Sequence, residues 1–418
     1  MSRDLGRHDT PGKQQGLTAI HAPAIVGCMN KKDFSLLTEL LSQTTAPFRE
    51  DRVRDVAIKA LQQNTVPYFM DPAGNVIIGA NNKSEYLKKI KTRCDEPVRL
   101  FIAHMDHPGF HGKRWLDNGR LQIKWHGGSP VKHLHGADLY VTDGETFFTT
   151  AALRKVQLVM GKWAIHTAEL VFSARVFKEQ RRPAARKLYG SFRFRKPWWL
   201  RGKRLYTNAA DDLCGVFAIL HTAIKLYKGG HASNVPFLGL LTRAEEVGFV
   251  GVVAHFELGW LQQHTRPLVA VSLEASRTLP GAHIGKGPVV RLGDRRTVFH
   301  ANSLKVLSDV AEKALKGKHQ KRIMDGGTCE ATAATVYGFP VVGISLPLGN
   351  YHNQGYEGGE DCLKPGGPAP EFVHMDDINA ELKLCKAMMR PGLNWQQPWS
   401  VQHHRLIRNM RQYLSFLK

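Results

Sequence analysis

The chain has no Cys-x-x-Cys pair; its six cysteines, at positions 28, 94, 214, 329, 362 and 385, are scattered. That pattern excludes a disulfide framework and a cysteine-type zinc site, and it suits a reducing, cytoplasmic setting. No stretch approaches the roughly 18 uninterrupted apolar residues of a membrane helix, so no membrane partner is expected. The nearest approach to a signal sequence, Thr18–Met29, is interrupted by His21 and Pro23 and reads as a weakly ordered lead-in. Internal repeats and low-complexity tracts are absent. Acid is scarce: 36 Asp and Glu stand against 58 Lys and Arg, a net charge of +22. Such a field bears on solubility and on anionic partners, and it says nothing about fold.

What is present fits a globular protein, with 43% apolar and 22% charged residues. At 418 residues the chain exceeds one ordinary core, so more than one domain is expected. Helical spacing appears over 34–43 and 50–62, strand–turn–strand over 67–78, and a short apolar strand over 98–103. Between 113 and 205 the texture changes to short strand-like pieces divided by Gly, His and Asp-Gly turns, an inserted β-rich module. From 206 the alternation of helices and strands resumes: helices over 212–228, 250–263, 302–316, 330–337 and 376–389, strands over 235–242, 267–273, 288–292 and 340–346. This predicts an α/β fold, a mostly parallel sheet with helices on both faces. The expected division is a lead-in over 1–33, a catalytic domain over 34–112 and 206–392, the insert over 113–205, and a basic tail over 393–418.

One stretch organises the rest. In Asn208-Ala-Ala-Asp211-Asp212-Leu-Cys-Gly215 two carboxylates precede a helix whose apolar face includes Leu213, Val216, Phe217 and Leu220. One Asp is an ordinary helix cap; two in tandem suggest that one caps and the other holds a cation. The strand ends support this. Strand 98–103 leads into His104-Met-Asp106, strand 235–242 into Arg243-Ala-Glu245-Glu246, strand 267–273 into Glu274, and strand 340–346 through Asn350 into Tyr351-His352. Ligand groups gather at the carboxyl edge of an open α/β sheet. Histidines and carboxylates without cysteine suit catalytic zinc, cobalt or manganese. So many acids converging would repel one another unless cations neutralised them. Two terminal histidines, two terminal carboxylates and one shared carboxylate suit two divalent metal ions, zinc first, with cobalt or manganese as alternatives.

These motifs resemble the dinuclear-metal aminopeptidases of the glutamyl and leucyl aminopeptidase and tetrahedral dodecameric peptidase type, within the zinc-peptidase clan. The matching pieces are Ala103-His-Met-Asp106 with Pro108-Gly-Phe110, Ala210-Asp-Asp212 with Gly215, and Glu245-Glu246-Val-Gly248. Further along come Gly285-Lys-Gly-Pro288, Asp325-Gly-Gly-Thr328 and Tyr351-His352, with Asp71-Pro-Ala-Gly-Asn-Val-Ile77 near the start. The 107 positions from His104 to Asp211 leave room for the β-rich domain this family inserts there. The resemblance implies that Asp211 bridges two metals, that His104 and Glu274 complete one site and Glu246 and His352 the other. It further implies that Glu245 is the general base and Asp106 orients His104. Asp212 is left as the cap. The implied reaction is release of N-terminal residues from peptide substrates through a metal-activated water, by a homo-oligomer that assembles through the β insert.

Three positions depart from the family pattern: His107 in place of Glu, Glu274 in place of Asp with Ser272 as the alternative register, and Cys329-Glu330 after Gly-Gly-Thr. They leave open a metal-dependent deacylase or carboxypeptidase on the same scaffold. A third reading is a catalytically inactive binding protein. It would hold an acidic partner through 175–204, which carries twelve Lys or Arg against one acid, with Phe192, Phe194, Trp198 and Trp199 interleaved. Such a run can bind nucleic acid, but a solvated face ranks ahead of it, and nucleic acid is not expected.

Overall fold

A computed structural model describes residues 29–228 and 235–417. The lead-in expected over 1–33 lies, up to residue 28, outside the described residues. In chain order the strands are β1 (Tyr68–Met70), β2 (Val76–Ile78), β3 (Val98–His104), β4 (Gly109–Trp115), β5 (Arg120–His126), β6 (Asp138–Thr142), β7 (Phe148–Leu158), β8 (Ile165–Phe172) and β9 (Tyr189–Gly190). They continue as β10 (Trp198–Arg201), β11 (Arg204–Thr207), β12 (Phe237–Thr242), β13 (Leu268–Arg277), β14 (Val289–Asp294), β15 (Gln320–Met324), β16 (Val341–Leu348) and β17 (Glu371–His374). The helices are α1 (Lys31–Leu41), α2 (Asp51–Gln63), α3 (Lys83–Lys91), α4 (Val176–Glu179), α5 (Leu213–Tyr227), α6 (Val250–Glu257), α7 (Ala301–Leu315), α8 (Glu330–Val336), α9 (Met375–Met388) and α10 (Ser400–Tyr413).

The central sheet has eight strands in the order β1-β2-β12-β3-β13-β16-β14-β15. Its middle, β12-β3-β13-β16, is parallel, while β2 and β14 join it antiparallel. The inner strands are buried along most of their length, as a sheet covered on both faces requires. One apolar layer packs α1, α2, α5, α7 and α9 on one face, and a second packs α3, α6 and α8 on the other. Helix α5 forms because Leu213, Val216, Phe217 and Leu220 recur at helical spacing and all lie in the core. Replacing Phe217 with Ala would cost about 3–5 kcal/mol.

Strands β4-β5-β8-β7-β6-β9 close into a barrel with its own core, which includes Phe110, Leu121, Ile123, Leu153 and Leu170. The barrel begins at Gly109, ahead of position 113. Strands β10 and β11 leave it to pair with β17 in a three-stranded sheet. Two strand pieces expected over 147–149 and 156–160 are one strand, β7, whose register against β8 shifts between Arg154 and Gln157. The helix expected over 250–263 stops at Glu257, because Gly259 adopts φ +68° and ends it. Among the described residues, no helix is long and apolar enough to cross a membrane.

Candidate metal centre

The parallel strands β12, β3, β13 and β16 point their carboxyl ends to one edge, and the sheet register levels the polar groups there. His104 is the last residue of β3 and pairs with Thr242, the last of β12. Glu274 lies inside β13 and not at its end. That strand outlasts β3, pairing with it only as far as Ser272↔Ile102 while continuing along β16 to Arg277↔Leu348. Two residues beyond Ser272, Glu274 is therefore level with His104. Ser272 donates a hydrogen bond to Glu274 Oε1 at 3.2 Å, so the two alternatives of the register share one site and the carboxylate belongs to Glu274.

Ligand-type atoms of His104, Asp211 and Glu274 lie within 4.8 Å of one another, and so do those of Asp211, Glu246 and His352. Asp211 is common to both groups. Its Oδ1 lies 3.5 Å from His104 Nε2 and its Oδ2 lies 3.6 Å from His352 Nε2. A third group joins His104 with Glu245 and Glu246. Glu245 Oε2 stands 3.9 Å from His104 Nε2, while Glu246 Oε1 is 3.1 Å from His352 Nε2.

This arrangement fits divalent metal. His104 Nδ1 donates to the backbone carbonyl of Asp106 at 3.0 Å. Its Nε2 lone pair then faces carboxylate oxygens of Asp211 and Glu245, which is repulsive unless a positive charge lies between them. Asp211 Oδ1, Glu246 Oε1 and His352 Nε2 are buried and make no hydrogen bond. Such atoms are costly unless something else pairs with them. The electrostatics agree. Burial alone would lower the pKa of His352, but Glu246 and Asp211 raise it to about 10, drawing positive charge to that point. Burial raises the Glu245 carboxyl well above its ordinary range and raises that of Glu274, with neighbouring acids adding to both; His104 opposes this at each, and at Glu274 the buried Arg291 guanidinium opposes it more.

Asp106 differs from its expected role. Its carboxylate is 3.7 Å from His104 Nδ1 and instead accepts the backbone N–H groups of Glu245 at 2.9 Å and Glu246 at 3.1 Å. The backbone carbonyl is nearer to the ring, so it orients His104, and the carboxylate fixes the turn that carries both glutamates. Asp212 caps α5, accepting from Gly215 N at 3.2 Å. A side chain at Gly215 would meet Asp212 Oδ2 at 2.3 Å, so this cap needs glycine there.

Sequence reasoning missed Glu371 altogether. It is fully buried on β17 and accepts Ala210 N at 2.8 Å and Asp211 N at 3.1 Å with one oxygen, and His352 N at 2.8 Å with the other. One carboxylate thus holds two ligand-bearing segments. It also helps to maintain a strained turn, since Asn350, His352 and Asn353 all have φ between 54° and 58°, a region non-glycine residues enter rarely. The departure at His107 has a definite place too: its Nδ1 donates to the Asp211 carbonyl at 2.8 Å, and burial keeps its pKa low. The Gly285-Lys-Gly-Pro288 motif acts away from these side chains, with Gly285 N and Gly287 N donating to Asp377 at 2.6 and 2.7 Å. The barrel reaches the centre through the turn after β5: a side chain at Gly128 would meet His352 Nδ1 at 2.1 Å.

Two histidines, a shared carboxylate and a spare glutamate at the edge of a covered parallel sheet define a metal-dependent hydrolase. Residues 86–357, more than half of the chain, match the family model described as M42 glutamyl aminopeptidase, and the chain belongs to that family of metal-dependent peptidases. No curated protein matches it significantly in sequence. Among solved structures it is similar to an aminopeptidase from the archaeon Desulfurococcus kamchatkensis, at 20% identity, TM-score 0.67, and coverage of 87% of this chain and 96% of the other. It is also similar to a TET aminopeptidase from a marine-sediment thaumarchaeon, at 18%, 0.66, 86% and 97%. The TET1 peptidase of Pyrococcus horikoshii, described as assembling into a tetrahedron or a large octahedral shell, gives 20%, 0.63, 86% and 99%.

Proposed function

We propose that this protein is a dinuclear metallo-aminopeptidase in which Asp211 would help to hold each of two divalent ions. His104 and Glu274 would complete one site, Glu246 and His352 the other, with zinc as the first choice and cobalt or manganese as alternatives. The observation that carries this reading is the pair of oxygens on Asp211, turned to two different histidines at 3.5 and 3.6 Å. Bound metals would supply a Lewis acid and lower the pKa of a water held at the site.

Glu245 is the residue for the proton. It belongs to neither three-residue group built on Asp211, yet it stands beside His104. A carboxylate in that position can take a proton and return it to the leaving amine. Asp106 holds the Glu245 backbone in place for this transfer.

Metal analysis combined with an assay on aminoacyl-amides tests this. Two ions per chain, cleavage of free-amine substrates and failure on acetylated ones are expected. Glu245→Gln should retain metal and lose about 10²–10⁴-fold in kcat, the scale of a general base. Full activity in metal-free protein would end the reading. The β insert is proposed as the contact through which copies assemble, as a homo-oligomer in a cytoplasmic setting, and the mass of the assembly in solution would report it.

A further inference from the structure

Most of the basic segment 175–204 is left unused by the metal centre, but part of it lines a cavity of about 570 Å³ between the barrel and the loop before β17. Its floor is apolar, from Phe192 and Phe194, both buried. At its rim the acids are already taken: Asp138 pairs with Arg193 at 3.1 Å, and Asp361 accepts from Arg195 Nε at 2.6 Å. The remaining polar side chains there are His133, His135 and Lys364, all exposed. None of the three side chains has a hydrogen-bond or ion-pair partner among the described residues. The rim is therefore left with one unpaired ammonium and two imidazoles, and no unpaired acid.

Two stretches of chain connect the cavity to the metal centre. Asn353, next to His352, accepts Ala369 N at 2.9 Å, and Gln354 forms a bridge with Pro368. Gly367, on the cavity wall, would meet His133 Cβ at 3.1 Å if it carried a side chain. From Gly128, against His352, to His133 is five residues, a reach of at most about 18 Å. A peptide whose N-terminus is anchored at the metals can span such a reach with about five extended residues.

We infer that this cavity is a binding site for an acidic side chain of the substrate peptide, within about five residues downstream of the scissile bond. The inference rests on the aminopeptidase reading above. It assigns His133, His135 and Lys364 to recognition, with Lys364 supplying the charge and the imidazoles donating N–H groups. The volume suits a few residues of peptide. The contacts are solvent-exposed, so the expected discrimination is modest, about two- to fivefold.

The test compares C-terminally amidated peptides that carry Asp or its neutral isostere Asn at successive positions after the cleaved bond. Wild-type enzyme should favour Asp about two- to fivefold in kcat/KM at one or two of those positions, chiefly through KM. The double variant His133→Ala, Lys364→Ala should lose that preference and keep its rate on an aminoacyl-anilide, which has nothing to place in the cavity. A general pull of the +22 net charge would survive removal of one lysine, so a preference that persists in the variant overturns the assignment. Absence of preference at every position does the same. If wild type fails even on the anilide, the aminopeptidase reading has failed, and binding still decides the cavity. An N-acetylated acidic peptide, followed by fluorescence anisotropy, should bind the variant more weakly than wild type, and equal binding refutes the site.

Discussion

Replacing Glu371 with Gln changes one oxygen for an amide nitrogen at a position where both oxygens accept backbone N–H groups. Whichever way the amide turns, its NH₂ faces at least one donor: His352 N, at 2.8 Å in the wild type, or the pair Ala210 N and Asp211 N, at 2.8 and 3.1 Å. A buried donor left unsatisfied costs about 1–3 kcal/mol. The cost falls on the segments that carry Asp211 and His352, so it should appear as weaker metal binding. Groups that orient metal ligands are worth 10–100-fold in affinity, about 1.4–2.7 kcal/mol, in agreement with the hydrogen-bond figure. Zinc affinity measured by competition with a chelator should therefore fall about 10–100-fold in Glu371→Gln. The metal-free protein should lose no more than the cost of the broken hydrogen bonds on denaturant unfolding. Metal affinity within twofold of wild type, alongside a clear loss of stability, would show that Glu371 only secures β17, and the reasoning would be wrong.

Removing the metals with a chelator should abolish activity and lower the midpoint of thermal unfolding. At a free-metal concentration a thousandfold above Kd, bound ion stabilises by about 4 kcal/mol; an unchanged midpoint would place the acids outside any metal site. Gly128→Ala should cut kcat/KM about a hundredfold with the fold intact by circular dichroism. The added carbon would overlap His352 Nδ1, and a shift of about 1 Å near the chemistry costs that much; activity within threefold of wild type would contradict it. Stability should depend on pH through Asp71. Burial raises its carboxyl, but hydrogen bonds from His255 and Asn75 outweigh it and hold the pKa below the ordinary 3.8. A lowered folded-state value means that this stabilisation is complete above the unfolded value of 3.8 and is lost as pH falls through the folded one. Denaturant midpoints between pH 3 and pH 7 should accordingly fall at the acid end, and Asp71→Asn should flatten that fall.

The groups legible in the sequence and those that were not differ in kind. His104, Asp211, Glu245, Glu246 and His352, which the structure brings together, stand out in the sequence because each is a histidine or an acid shortly after an apolar strand or at the start of a helix. Glu274 stands out as well, because the apolar run over 267–273 stops just before it although β13 continues to Arg277. Chemistry restricts the side chains that can face a metal, so position and residue type together carry a signal. The supporting groups bear no such mark. Glu371 acts on backbone N–H groups 161, 160 and 19 positions away, and Asp106 on N–H groups 139 and 140 positions away. Every residue except proline offers a backbone N–H, so nothing at Ala210, Asp211 or His352 indicates that an acid must reach it. Strand β17 added to the difficulty, having only four residues after a Gly- and Pro-rich stretch with no periodicity to read. The same cause explains His107 and the three left-handed residues at 350–353. They matter through the backbone they bond to or the backbone shape they adopt, and only the assembled fold determines which backbone that is.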